Sequence, residues 1–450
     1  MGILIWTSYR LYLEEQMAPE GNEYKQRQQQ RAEARKQREL AHKKMMFRLG
    51  LAAAVIIACG LLIWLVASEG KDPATNIANP QPEQTQTSAP AESTVPPVRE
   101  DRTQISITVA GDLNINAATV NAGKTPSGYD YTNVFMDVAP LLANADITVL
   151  NLEGNLCGAP YGTEEASAPQ ELMTTLADLG VDMIQVANSY SIRNGLLGLE
   201  STLNGIRAAG MYPVGAYATE QEFREGQGYT IKEINGIRVA FVAFTKGMNN
   251  LGLPAGSENC VNVLYTDYAS TYQDVDEDKI NRILRAAANA DPDYTVALLH
   301  WGSEYNDEYS DTQAEIRDLL FAGGVDAIVG THPHRVQAVE FDRDAGTFVA
   351  YSLGDFFSDT VEAGSNYSVV LNLQVTKDNI SGETKLTDYT CTPIYNMKPE
   401  ESGEATLRLV RTKTAIESFE IGIFNRVSQE LYDTLGYTIS RIESRLSGEG

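Results

Sequence analysis

Val325-Asp-Ala-Ile-Val-Gly-Thr-His-Pro-His334 decides how this 450-residue chain is read. Its apolar, β-branched run predicts a short buried strand, and the strand delivers His332 and His334 at its end. Pro333 fixes the backbone between the two imidazoles. Histidine is scarce: besides these two, the chain has only His42 and His300. His300 also closes an apolar run, Tyr294-Thr-Val-Ala-Leu-Leu-His300. All three histidines outside the N-terminal segment therefore finish strands. In an α/β protein that edge is where functional side chains gather.

Other runs repeat the plan. Ile105-Ser-Ile-Thr-Val-Ala-Gly-Asp112 ends in an acid. Ala145-Asp-Ile-Thr-Val-Leu-Asn-Leu-Glu-Gly154 ends with Asn151 and Glu153, and Val181 to Asn188 ends in an amide. Ile237 to Thr245 reads as a further strand, and Thr347 to Phe356 carries Asp355. Between them, helical spacing covers Gln170 to Leu179, Leu196 to Ala209 and Asp278 to Ala290. Thr312-Gln-Ala-Glu315 has the pattern of a capping box, opening a helix that stops at Gly323-Gly324. Strands alternating with helices predict a layered α/β fold with much parallel sheet. Alternating β-runs from Asn366 to Tyr395 add antiparallel strands, and helices are expected over Ala405–Phe419 and Asn425–Arg445.

Net charge of −25 argues against a nucleic-acid partner, which needs clustered Lys and Arg. The basic residues crowd instead between Lys25 and Arg48, just ahead of the uncharged run Leu49–Ala67. Nineteen helical residues span about 28 Å, close to a bilayer's hydrocarbon core. The long polar lead and missing cleavage site favour a single-pass anchor over a signal peptide, with the basic side in the cytoplasm. The expected organisation is a basic cytoplasmic tail (1–48), a transmembrane anchor (49–67) and a disordered Pro-rich linker (68–102). The main extracytoplasmic domain (103–400) and a C-terminal helical extension (401–450) follow. Anchor and stalk count against a soluble cytoplasmic nucleotide phosphatase. Cys157, Cys260 and Cys391 lack CxxC spacing, so a zinc cluster is not indicated; one disulfide and one free thiol would suit an oxidising compartment.

Carboxylates, imidazoles and amides converging on one sheet edge make a mixed oxygen and nitrogen site, suited to Zn, Mn or Fe. The strand-end motifs Ala110-Gly-Asp112, Asn151-Leu-Glu-Gly154, His300-Trp-Gly-Ser-Glu304, His332-Pro-His334 and Ser352-Leu-Gly-Asp-Phe356 resemble the CapA family of poly-γ-glutamate capsule synthesis. That family is similar to calcineurin-like metallophosphoesterases. The resemblance implies a metallophosphatase-like sheet sandwich with flanking helices. It makes Asp112, Glu153, His300, His332 and His334 candidate metal ligands, with Tyr190 and His334 as candidate catalytic groups. Asn151, Asn188, Ser189, Trp301, Glu304 and Asp355 are candidate binding residues. Implied partners are the membrane and an anionic polymer or its synthesis machinery. Two departures stand out: Ser189-Tyr190 replaces the family's Asn-His, and Asp355 replaces an Asn. A phenol of pKa about 10 is a weak general acid. Two functions follow: a metal-dependent hydrolase, or a polymer-binding scaffold with a degenerate site.

Overall fold

Fifteen strands and their connecting helices are built over residues 101–360, 362–402, 406–422 and 428–448, the residues that the computed structural model describes. The expected tail, anchor and all but the end of the linker lie outside them. Among the described residues no helix is long and apolar enough to cross a membrane.

In chain order the strands are β1 Arg102–Asn114, β2 Lys124–Thr125, β3 Gly128–Tyr129, β4 Ile147–Glu153, β5 Met183–Gln185, β6 Tyr212–Val214, β7 Tyr229–Ile234 and β8 Ile237–Thr245. β9 Tyr294–His300, β10 Ala327–Thr331, β11 Val339–Asp342, β12 Thr347–Ala350, β13 Tyr367–Asp378, β14 Thr384–Met397 and β15 Arg408–Arg411 complete them. One sheet runs β15-β14-β13-β1-β4-β5-β6; a second runs β11-β12-β10-β9-β8-β7. The centre of each is parallel (β1, β4, β5 and β6; β8, β9, β10 and β12), as the alternation of strands and helices predicts. The expected antiparallel addition is β13 and β14, which extends the first sheet beside β1.

Side-chain alternation decides what the sheets face. Val239, Phe241 and Ala243 of β8 join Ile105, Ile107 and Val109 of β1 in the larger core. The intervening Ala240, Val242 and Phe244 pack with Ile280, Ile283 and Leu284 of the helix Glu277–Asn289, and with Ile316 and Leu320 of Asp311–Ala322. The second sheet is thus covered by helices on one face and by the first sheet's residues on the other.

An aspartate pins the start of four parallel strands. Asp146, Asp182, Asp293 and Asp326 each accept a backbone N–H from the neighbouring strand, at Ser106, Thr148, Arg238 and Thr295. This satisfies an edge amide and fixes register at the end of the sheet opposite the histidines.

Three expectations need correction. The capping box opening Asp311–Ala322 is Ser310-Asp-Thr-Gln313, two residues earlier than the one read, because Ser310 is the residue with extended backbone. The first part of the expected helix Ala405–Phe419, and so of the helical extension, is strand β15; it pairs with β14 and buries Leu409 and Val410, and helix begins only at Thr412. Finally, Cys157, Cys260 and Cys391 are all free thiols, so no disulfide forms among them.

Candidate metal centre

Register brings the site together. Asp112 of β1 lies opposite Asn151 of β4, and Asn114 opposite Glu153. In the second sheet Thr245, His300 and Thr331 form one rung at the ends of β8, β9 and β10, and His332 and His334 follow directly. Glycine permits the closure: a Cβ on Gly111 would collide with the Gly354 carbonyl, and one on Gly330 with the Tyr351 carbonyl. The chain after β12 can therefore press on both sheets, with Asp112 N donating to Gly354 O at 3.1 Å.

Asp112, Glu153, His300, His332, His334 and Asp355 are all buried. Ligand atoms of Glu153, His332 and His334, of Asp112, Glu153 and His300, and of Asp112, His334 and Asp355 each fall within 4.8 Å of one another. Asn151 Nδ2 donates to Asp112 Oδ1 at 2.6 Å, and the backbone N–H of His332 donates to Asp112 Oδ2 at 2.9 Å. His300 Nε2 lies 3.1 Å from Glu153 Oε1 and 3.0 Å from Ser189 Oγ. Its Nδ1 is 3.1 Å from Thr331 Oγ1. His334 Nδ1 donates to Asp355 Oδ1 at 2.6 Å. Both His332 and His334 have positive φ, 94° and 55°, a strained backbone for a side-chain-bearing residue and one that clusters at functional sites.

Burial sets the electrostatics. It pushes Asp112 and Glu153 up to about 7, with the neighbouring carboxylates adding to the shift. Burial lowers His300 to about 4, and holds His332 well below the usual imidazole range, aided by His300 and Lys246. For His334 burial acts downward too, but Asp355, Glu153 and Asp112 outweigh it and keep the ring well above that range. Asp112, Glu153 and Asp355 thus face one imidazolium, and the first two hold protons up to about pH 7. His332 Nδ1 and Asp355 Oδ2 are buried without a hydrogen-bond partner. Carboxyl groups whose ionisation burial penalises, beside lone pairs with no hydrogen-bond partner, are the environment a divalent cation satisfies, so these residues fit a metal.

A cavity of about 310 Å³ opens over the cluster, lined among others by Glu153, Ser189, Tyr190, Glu304, His334 and Asp355. Glu304 is exposed on its rim. Tyr190 is pushed up to about 12 by burial and then by Glu153, so its phenol donates a hydrogen bond far more readily than a proton. Three proposed binding residues do not line this cavity, although two of them, Asn151 and Asn188, support Asp112 from behind. Asn188 Nδ2 donates to Asn151 Oδ1 at 3.0 Å and to Leu152 O at 2.7 Å, while its Oδ1 accepts from Tyr190 N. Asn188 and Asn151 therefore form a buried relay that orients Asp112. Trp301 is fully buried in the helix-covered core, donates to Tyr351 O at 2.9 Å and stacks on Tyr351; it is a packing residue. Sequence reasoning did not find Thr331, which the β10 register aims at His300, nor Lys246, which follows the end of β8 at the same edge.

Residues 106–360 match the model of the bacterial capsule synthesis protein PGA_cap family. The chain belongs to that family. It is 27% identical over 275 residues to the capsule biosynthesis protein CapA of Bacillus anthracis, covering 60% of this chain and 63% of that protein. It is 27% identical over 235 residues to the PGA biosynthesis protein CapA of Bacillus subtilis (strain 168), covering 50% and 57%. The match thus spans less than two thirds of either relative. Among solved structures, a phosphatase from Mycoplasma pneumoniae aligns with a TM-score of 0.41 at 14% identity, covering 66% of this chain and 96% of that one. The calcineurin-like phosphoesterase YfkN from Bacillus subtilis aligns at 0.40 and 17%, covering 75% and 99%. Scores of this size do not establish a shared fold.

Proposed function

We propose that this chain is a metal-dependent hydrolase acting in the synthesis, export or attachment of an anionic cell-surface polymer such as poly-γ-glutamate. One observation carries this reading: three carboxyl groups and three imidazoles are buried together under an open cleft, with lone pairs that no hydrogen-bond partner satisfies. Membership of a capsule-synthesis family supports the polymer. The uncharged run Leu49–Ala67, with basic residues before it, supports a single-pass anchor that places the main domain outside the membrane.

Asp112, Glu153, His300, His332 and His334 would hold the ion, with Asp355 steering His334. A bound Mn, Zn or Fe ion would supply Lewis-acid polarisation of the scissile group. The Asn188–Asn151 relay keeps one Asp112 oxygen fixed. Tyr190 and Glu304 orient substrate at the mouth. Turnover of a phosphodiester or γ-glutamyl amide with added Mn, Zn or Fe is expected. Asp112→Ala should reduce it by about a hundred-fold or more. No turnover with any of these ions would contradict the reading.

A second reading has its own observation. Ser189 Oγ sits 3.0 Å from His300 Nε2, so the substituted serine engages an imidazole nitrogen that a metal would use. That favours a polymer-binding scaffold with a degenerate site, marked by retained polymer binding and no hydrolysis.

A further inference from the structure

The cleft has a second arm of different chemistry. A cavity of about 310 Å³ lies on the other side of the Ser189, Asn249 and Glu304 ridge, and His332 forms part of its wall. Lys246, Asn250 and Tyr272 line this arm and are absent from the first. Lys246 is the only lysine or arginine lining either arm. Its backbone is fixed where β8 ends, with Lys246 N donating to His300 O at 2.8 Å. Its Nζ donates to Gly302 O at 2.6 Å and lies 4.8 Å from the centre of the Tyr272 ring. Among the described residues no carboxylate lies within 4.0 Å of this ammonium. An ammonium has three N–H donors, so one accepted bond leaves capacity for a ligand. Tyr272 OH donates to Asn250 Oδ1 at 3.2 Å, which leaves the Asn250 amide N–H groups free of that contact.

An anionic substrate entering this cleft meets Glu153, Asp355 and Glu304, which line it and repel it. A single fixed cation beside the Asn250 amide donors offsets that repulsion at one place only. We propose that the Lys246 arm is an oxyanion subsite that holds a carboxylate of the polymer while the neighbouring residue of the chain lies over the carboxylate–imidazole cluster. This rests on the hydrolase reading only for what happens at the cluster; the subsite itself needs no turnover.

Binding to the full-length protein tests it, with a γ-linked glutamate oligomer, the matching glutamine oligomer and inorganic phosphate as separate probes in calorimetry. Wild type should prefer the glutamate oligomer over the glutamine one by about ten-fold, and Lys246→Met should lose about ten-fold in affinity while keeping its metal content and melting temperature. Lys246→Arg should recover most of that loss. Should Lys246→Met fold poorly, Asn249→Asp, an exposed change at the mouth, should weaken the glutamate oligomer by a similar factor. Equal affinity of wild type, Lys246→Met and Asn249→Asp for the glutamate oligomer would overturn the proposal. Lys246-dependent binding of phosphate but not of the oligomer would also overturn it, assigning the arm to a phosphate group. Hydrolysis with unchanged KM in Lys246→Met would leave the hydrolase reading standing and remove the subsite. Lys246-dependent binding without hydrolysis would do the reverse.

Discussion

Asp112 and Glu153 make a pH-dependent demand on the fold. Burial raises both from 3.8 and 4.5 to about 7, so the folded state holds protons that the unfolded chain has released. Their stabilising contribution is present at low pH and is lost as pH rises through about 7. His334, also raised, has the same sign. His300 and His332, held neutral in the fold, have the opposite sign, but their effect is confined to pH values below the ordinary imidazole value of 6.5. The acids' share is lost between about pH 4 and 7, with His300 and His332 offsetting it below 6.5. Metal-free protein should therefore lose melting temperature mainly between about pH 6.5 and 7.5, and an Asp112→Asn, Glu153→Gln double variant should lose the acids' part of that slope. Metal should bind more tightly at about pH 8 than at about pH 6, because each bound ion displaces protons from these groups. Melting curves and proton release on metal binding, read by calorimetry, check both. At this scale the sequence was readable where side chain and position agree: acids and histidines at strand ends. It was not readable where contacts decide, as for Trp301, whose ring turns into the core, and Asn188, whose amide is spent on Asn151 and Leu152. Lys246 carries no sequence signal of its own, because Ile237–Thr245 reads only as a strand.

Elements were legible when one local pattern decided them. β8 has the bounds expected for Ile237–Thr245, and the helices Gln170–Asp178 and Glu277–Asn289 begin and end within a residue of expectation. Two signals were present but unread. Asn235-Gly236, both at positive φ, turns β7 into β8, the residue pair a tight hairpin asks for. The aspartates before β4, β5, β9 and β10 recur for a physical reason, since each caps a neighbouring strand's free amide. Asp182→Ala should cost roughly 1–2 kcal/mol in urea denaturation by leaving Thr148 N–H without that acceptor, with metal content unchanged. A larger effect with loss of metal would mean that register at the start of β5 is transmitted to Asn188.

The whole molecule shows why the C-terminal part was misread. β15 looks helical in isolation, yet β14 presents an edge that it covers, and Arg408 pairs with Asp137 at 3.1 Å, both side chains buried. Removing Arg408 takes the buried cation away from Asp137, so Arg408→Ala should destabilise by about 3–5 kcal/mol in the same assay. A chain ending at residue 400 should not melt as one cooperative unit. Long-range pairing of this kind has no local signature, whereas the parallel centre of each sheet does. The central claim, a metal centre built where the two sheets meet, is tested most directly by the divalent metal retained after purification without chelator. Mn, Zn or Fe in stoichiometric amount in the wild type, lost in a folded His332→Ala, His334→Ala double variant, is the predicted result. Metal content unchanged by that double substitution would contradict it.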